Sequence, residues 1–496
     1  MLYRSRGLCL LIVTLLSVSL LAAGASGQQK RFAGVTLTVM TQNPPYIAKP
    51  VQMFAPEWEK RTGGKINLVT APFGEIYSKL MSSFTLGTGA YDLSLFASAW
   101  MGDFAGNKYL LDLTDRIKAD KDLKWEDILP TYRQTVTWGG RLYALPIDGD
   151  VHTVYYRRDA LENPKYKAQF KAKYGYDLRP PQTWKEYRDI AEFFNGWDWV
   201  GDGKKHYGVL EAFKRGGQAF WFFMSHAAAY VSVPGQKGNL FFDPDTMKPQ
   251  INNPGFVKAL EDWVALVKFG PPGMINFDSG DVRSQFAAGT AALALDWGDT
   301  GIVGDTDPKS VVKGKIGTIV LPGSLEVYNY KTGKWTKLTK PNVAPYLAFG
   351  GWVCGVMATT KHPDAAYDFC RTIAEPKNSY IAVTTAETGL NPFRASHFAD
   401  LSGWKKFGFV EPDLSSYLGA IKASLSHPNA QLDLKLPGQA RYLDALETQL
   451  ARAAAGEISP KAALDAAAAE WEKITNELGR EKMRRLYREW LGLPAK

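Results

Sequence analysis

Three short strand-like runs separated by helix-length stretches constrain this chain more than any other feature. Residues 35–40, 66–69 and 91–96 read as strands, and 51–61 and 75–86 between them read as helices. The first helix runs into Gly63-Gly64, a good C-terminal stop because glycine enters the left-handed conformation freely. Strands that alternate with helices imply parallel βαβ units and an α/β fold. In such sheets a ligand sits outside the carboxyl ends of the strands. The loops 41–46, 72–75 and 97–103 are therefore expected to share one rim.

Further along, 140–146 and 151–156 are extended stretches joined by Ile147-Asp148-Gly149-Asp150. They read either as a hairpin or as a strand passing from one lobe to another. Thr183 and Glu186 form a capping box ahead of an amphipathic run. Asn253-Pro254 opens a helix with Phe256, Leu260, Trp263, Val264 and Val267 on its apolar face. A short strand at 291–295 ends on Asp296-Trp297-Gly298-Asp299, and strands follow at 315–321 and 352–358. A helix opens at Pro363, and the C-terminal third is mostly helical. Neither an internal repeat nor a low-complexity linker divides the chain, so its lobes are expected to be interwoven.

Length requires more than one core. Residues 1–27 read as a secretory signal peptide: Arg4 and Arg6, then 15 apolar residues, then Ala22-Ala23-Gly24-Ala25-Ser26-Gly27. The apolar run is shorter than the ~20 residues a membrane span needs. No cysteine sits at the cleavage point, so a free, periplasmic protein is expected. About 469 residues then remain, which calls for two or more lobes. The formal charge of +9 falls to +7 without Arg4 and Arg6. These charges are scattered, whereas a nucleic-acid footprint needs clustering. Cys354 and Cys370 survive cleavage, one on a strand and one on the helix after it. A disulfide between them and two buried thiols both fit the sequence.

Other chemistries find little footing. Asp198 to Gly203 lacks the alternating oxygens and closing Glu of a calcium loop. The six histidines make no H-E-x-x-H motif, and G-x-S-x-G is missing. No cofactor, metal or nucleic-acid partner is expected, and neither is membrane insertion of the mature chain.

Several segments in order resemble the extracellular solute-binding proteins of ABC importers, in the sugar-binding branch that includes maltose-binding protein. They are LTVMTQ at Leu37, FAPEWEKRTGGKINLV at Phe54, YDLSLFASAW at Tyr91 and GRLYALPIDGDVHTVYYRRDAL at Gly140. PQTWKEYRDIA at Pro181, SQFAAGTAALALDWGDTG at Ser284 and KIGTIVLPG at Lys315 follow. GGWVCGVMATTKHPDAAYDF at Gly350 and GEISPKAALDAAAAEW at Gly456 complete the set. The resemblance implies two α/β lobes joined by crossover strands at a hinge, with the ligand between them. On that pattern lobe one is 28–147 plus 322–371, and lobe two is 148–321 plus 372–496. It implies a sugar or polyol ligand, permease subunits as partners, and no enzymatic activity. The same fold with another solute (a glycerophosphodiester, polyamine or peptide) and an exported glycan-active enzyme are the alternatives.

The resemblance also selects site residues. Trp297 ends a strand between polar residues, where the family commonly sets a ring against a sugar; Asp299 lies beside it. Gly350 and Gly351 would let a ligand approach the backbone, next to Trp352. Asp148 and Asp150, at the expected crossover, offer carboxylates to hydroxyl groups. Gln42 and Asn43, and Trp100 and Asp103, follow predicted strands. Asn391 and Arg394 match a family segment that often reaches the cleft. Glu75 and Trp221 are weaker candidates, Trp221 reading mainly as core.

Overall fold

The computed structural model describes residues 30–494, apart from 45, 217, 237 and 239, so the expected signal peptide lies outside the described residues. The first body begins β1 (Thr36–Gln42), α1 (Ala48–Thr62), β2 (Lys65–Ala71), α2 (Phe73–Leu86), β3 (Leu93–Ala97) and β4 (Leu145–Pro146). The second contains β5 (Thr153–Arg157), α3 (Trp184–Phe194), β6 (Tyr207–Leu210), α4 (Ala219–Val231), α5 (Pro254–Val264), α6 (Ser279–Ala287), β7 (Ala291–Asp296), α7 (Asp299–Thr306) and β8 (Ile316–Ile319). A hairpin follows, β9 (Ser324–Asn329) and β10 (Lys334–Asn342). Then come β11 (Tyr346–Leu347), β12 (Trp352–Val356), α8 (Pro363–Ala374), α9 (Asp413–Leu425), β13 (Gln431–Leu432), α10 (Gln439–Ala454) and α11 (Pro460–Glu477).

Local signals in the sequence set most of these ends. Gly63 closes α1 at φ 81°. Both hydrogen bonds of the Thr183–Glu186 capping box are present ahead of α3. The Asn253 side chain accepts from the N–H groups of Gly255 and Phe256 at the start of α5.

The strands assort into two sheets. One has the order β2-β1-β3-β12-β4, the other β8-β5-β7-β6. β1 pairs parallel with β2 and β3, as the βαβ reading requires, while the returning β12 runs antiparallel to β3. Every residue of β3 and of β7 is buried, as befits central strands covered on both faces. Helix α8 packs on α1 and β12. Its Asp368 accepts from Nε1 of the fully buried Trp58 at 2.8 Å. A disulfide between Cys354 on β12 and Cys370 on α8 ties strand to helix, resolving what the sequence left open. Helix α9 covers β8 and β5, and α10 pairs with α11.

The extended stretches around Asp148 are not a hairpin. β4 belongs to the first sheet and β5 to the second, so 147–152 is a crossover. The way back comes later than Leu321. The β9–β10 hairpin intervenes and packs on α4 and α5, and the chain regains the first sheet through 343–351. The two connections lie side by side, the His152 N–H donating to the Tyr346 carbonyl at 3.3 Å. Gly351 (φ 82°) leaves no room for a side chain, since a Cβ there would sit 2.5 Å from the Asp148 carbonyl oxygen. A third stretch joins them, β13 pairing with β11. The segment after Arg371 also departs from the expected boundary. Arg394 bridges Ile128, and Ser396 donates to Asp127, so this stretch packs with the first body before α9 joins the second.

Candidate ligand-binding cleft

A cavity of about 390 Å³ lies between the two bodies. The first contributes Gln42 from the end of β1, Tyr46 and Ile47 from the loop after it, Phe73 from the start of α2, and Trp352 from the start of β12. The second contributes Gln218 ahead of α4, Asp278, Ser279, Gly280 and Arg283 around the start of α6, and Trp297 and Asp299 after β7. Asp150 and Phe349 come from the two connections. The cavity thus sits beyond the carboxyl ends of β1, β2 and β7, the position favoured in open α/β sheets.

One wall is aromatic. The Phe73 ring packs against Trp100, Phe349 and Trp352 with centroids 5.7–5.9 Å away. Trp297 meets His152 edge-on at 4.1 Å and is only 2 % exposed. Its Nε1 donates to the Ala348 carbonyl at 3.0 Å, which ties the end of β7 to the returning connection. Most of this ring is core and a small edge lines the cavity.

The other wall is charged. Arg283 donates from Nε to Asp296 at 2.8 Å, and its Nη2 lies 3.3 Å from Asp299. Burial works against this guanidinium, but the two carboxylates outweigh it and hold its pKa above the ordinary value. Burial pushes the Asp296 carboxyl up to about 6, with Arg283 opposing. Asp148 is pushed up to about 7 by burial, against the Asn391 N–H that donates to it. Asp150 is raised well above the usual carboxylate range by burial, then by Asp148 and Asp299. Beneath it, the Asn391 amide donates to Asp150 at 3.2 Å and to Asp299 at 3.4 Å, and accepts from the Tyr417 hydroxyl at 3.3 Å. Gly298 makes room for that amide, since a Cβ there would lie 1.8 Å from Asn391 Oδ1.

Of the residues the sequence singled out, Gln42, Asp150, Trp297, Asp299 and Trp352 line the cavity. Five others support it from behind, Asn391 through its bonds to Asp150 and Asp299. Asp148 accepts the N–H groups of Gly149 and Asn391 at 2.7 Å and of Trp352 at 3.3 Å, so its carboxylate is held by backbone. Gly350 and Gly351 serve the packing of the crossovers, Gly350 against Ser98. Trp100 stacks behind Phe73.

The remaining candidates lie elsewhere. Arg394 is fully buried away from the cavity and donates to the carbonyls of Leu123, Lys124 and Ala374. Asp103 accepts from the Tyr77 hydroxyl and the Gly438 N–H. Asn43 is exposed beyond the cavity lining, and Glu75 is exposed beside Lys79. Trp221 is core, its Nε1 donating to Asp433 at 2.6 Å. Asp198 folds as a turn that receives the N–H groups of Gly201, Asp202 and Gly203.

Arg283, Gln218, Tyr46, Phe73 and Phe349 line the cavity without having been picked out from the sequence. A lone arginine in an amphipathic helix reads as surface, and Phe73 sits unmarked inside the flagged 72–75 loop. The family of bacterial extracellular solute-binding proteins matches residues 44–379.

The chain belongs to that family. Like other solute-binding proteins it has two α/β bodies with a cleft between them. A solute-binding protein from Agrobacterium radiobacter K84, solved in complex with ribitol, is 25% identical with a TM-score of 0.69. That match covers 90% of this chain and 100% of the other. A probable ABC transporter-binding protein of Deinococcus radiodurans is 27% identical over 329 residues, 64% of this chain and 66% of that protein. The mannitol-binding protein of Pseudomonas aeruginosa is 24% identical over 292 residues, 58% of each chain. The chain thus spans less than two thirds of the length of these two curated relatives.

Proposed function

We propose that this solute-binding protein carries a small polyol or sugar in the cavity between its lobes and delivers it to the permease of an ABC importer. The observation that carries the reading is the mixed lining of one cavity, the rings of Phe73, Trp297 and Trp352 together with Arg283, Asp150 and Asp299. Ring faces and edges suit the C–H surface of a carbohydrate, and ionised groups make the stronger hydrogen bonds to its hydroxyls. One arginine already engaged by two aspartates leaves the wall acidic, which favours a neutral hydroxylated ligand over a phosphate or carboxylate. The size agrees, since about 390 Å³ is near the lower end of small-molecule sites.

In this reading the protein is periplasmic, freed from its signal peptide, unlipidated and not an enzyme. The ligand would be held between lobes that close by bending at 147–152 and 343–351, a hinge motion of the kind binding proteins use. The ribitol complex and the mannitol-binding relative point the same way. A melting-temperature screen of the mature protein against C4–C6 alditols, monosaccharides and disaccharides tests the proposal. A ligand at a hundred times its Kd adds about 2.7 kcal/mol of stability, so a true ligand raises the melting temperature by a clear margin. A flat response across the panel removes the carbohydrate reading.

A further inference from the structure

Gln218 holds a backbone conformation that its own residue type disfavours. Among the described residues, five that are not glycine have positive φ, and two of them, Gln218 (φ 80°) and Phe349 (φ 68°), line this cavity. The left-handed region crowds a Cβ against the following carbonyl, so glycine or asparagine is the ordinary occupant. Such outliers persist where the surroundings over-determine them, and they cluster at binding sites. Here the Glu447 carboxylate accepts from the Gly216 N–H at 2.8 Å and the Phe220 N–H at 3.0 Å, fixing the chain on both sides of Gln218. The residue before that pair is Arg215 and the one after Gly216 is another glycine. A glutamine at the third position of a Gly-Gly-Gln run suggests a role for its side chain.

That side chain is oriented. The Ser279 hydroxyl at the start of α6 donates to Gln218 Oε1. Both residues line the cavity. With Oε1 occupied, the two amide hydrogens on Nε2 are left without a protein acceptor among the described residues. We infer that Gln218 is a pre-oriented hydrogen-bond donor to ligand hydroxyl groups and sets specificity alongside the acceptors Asp150 and Asp299. The inference rests on the polyol reading of the same cavity. A donor that lines one small cavity with two carboxyl groups matches a chain of hydroxyls, each of which both donates and accepts. Its strained backbone keeps the amide in place before the ligand arrives, which lowers the ordering cost of binding.

The test uses two variants of the mature protein, titrated calorimetrically with ribitol and D-mannitol beside the native protein. Gln218→Gly relieves the left-handed backbone, so it folds and melts within about 2 °C of native or above it. The same variant should bind roughly tenfold more weakly, the scale of one or two lost hydrogen bonds. Gln218→Asn tolerates the backbone equally well, but its amide is one methylene too short to hold both Ser279 and a ligand, so it should weaken binding too. Because the loss falls unequally on ligands with differently placed hydroxyls, the ribitol-to-mannitol affinity ratio should also move. If native and Gln218→Gly bind with equal affinity, or Gln218→Gly melts well below native while binding is untouched, the residue is structural and the inference is overturned. Binding of neither polyol by the native protein would instead bring down the ligand reading on which the inference rests.

Discussion

The Arg283 guanidinium and the Asp296 carboxylate meet at 2.8 Å beneath the cavity floor, and Asp296 is wholly removed from solvent. Neither group is tolerable there alone. Arg283→Leu leaves a buried carboxylate without its partner, a change that costs about 3–5 kcal/mol in comparable pairs. Urea unfolding should show that loss, and ligand affinity should fall with it because Asp299 also loses its neighbour. Arg283→Lys retains the charge but not the fork, so an intermediate loss is expected.

Asp148 and Asp150 give a pH dependence of defined sign. Burial raises both pKa values, Asp148 to about 7. The folded state therefore holds protons that the unfolded chain releases near pH 4. Their contribution to stability is complete below that pH and declines as pH rises toward 7. Asp150→Asn mimics the protonated acid. Urea melts at pH 4.5, 5.5 and 7 should show a shallower decline for this variant, and greater stability than native at pH 7. An unchanged slope would contradict a raised pKa at Asp150.

Gly298 bears on the site through one amide. A methyl group there would collide with Asn391 Oδ1, and that side chain reaches both Asp150 and Asp299. Gly298→Ala should displace Asn391 and weaken ligand binding by about tenfold, with a stability loss on the order of 1–3 kcal/mol typical of overpacking. Calorimetry and thermal melting read the two effects separately.

The disulfide staples β12 to α8 across 16 residues of sequence. Loop-closure entropy for a loop of this size corresponds to about 3 kcal/mol. Replacing both cysteines with alanine should lower the melting temperature while leaving ligand affinity nearly intact, since neither lines the cavity.

The sequence made much of this legible. Glycine stops, capping residues and short strand-like runs located α1, α3, α5 and the parallel strands, because those signals are local and their physics is short-ranged. Position after a strand singled out Gln42, and with the family resemblance Trp297 and Asp299, all of which line the cavity. Arg394 and Asp103 could not be sorted the same way. Whether a polar side chain points into a cleft or satisfies carbonyls in the core depends on partners such as Leu123 and Gly438, far off in sequence. Arg283 was hidden for the converse reason, its role being set by Asp296 and Asp299 on other elements. The β9–β10 hairpin, which moves the return crossover beyond Leu321, lies in a lysine-rich stretch without clear apolar alternation. Its β10 strand is exposed along most of its length, so little burial marks it.

The central claim is that the cavity between the lobes takes a polyol or sugar. Calorimetric titration of the mature native protein with ribitol, D-mannitol and a panel of simple sugars tests it most directly. One or more of them should bind at a single site per chain, and Arg283→Leu should bind more weakly. No measurable heat with any of them, under conditions where the protein is folded, would contradict the account.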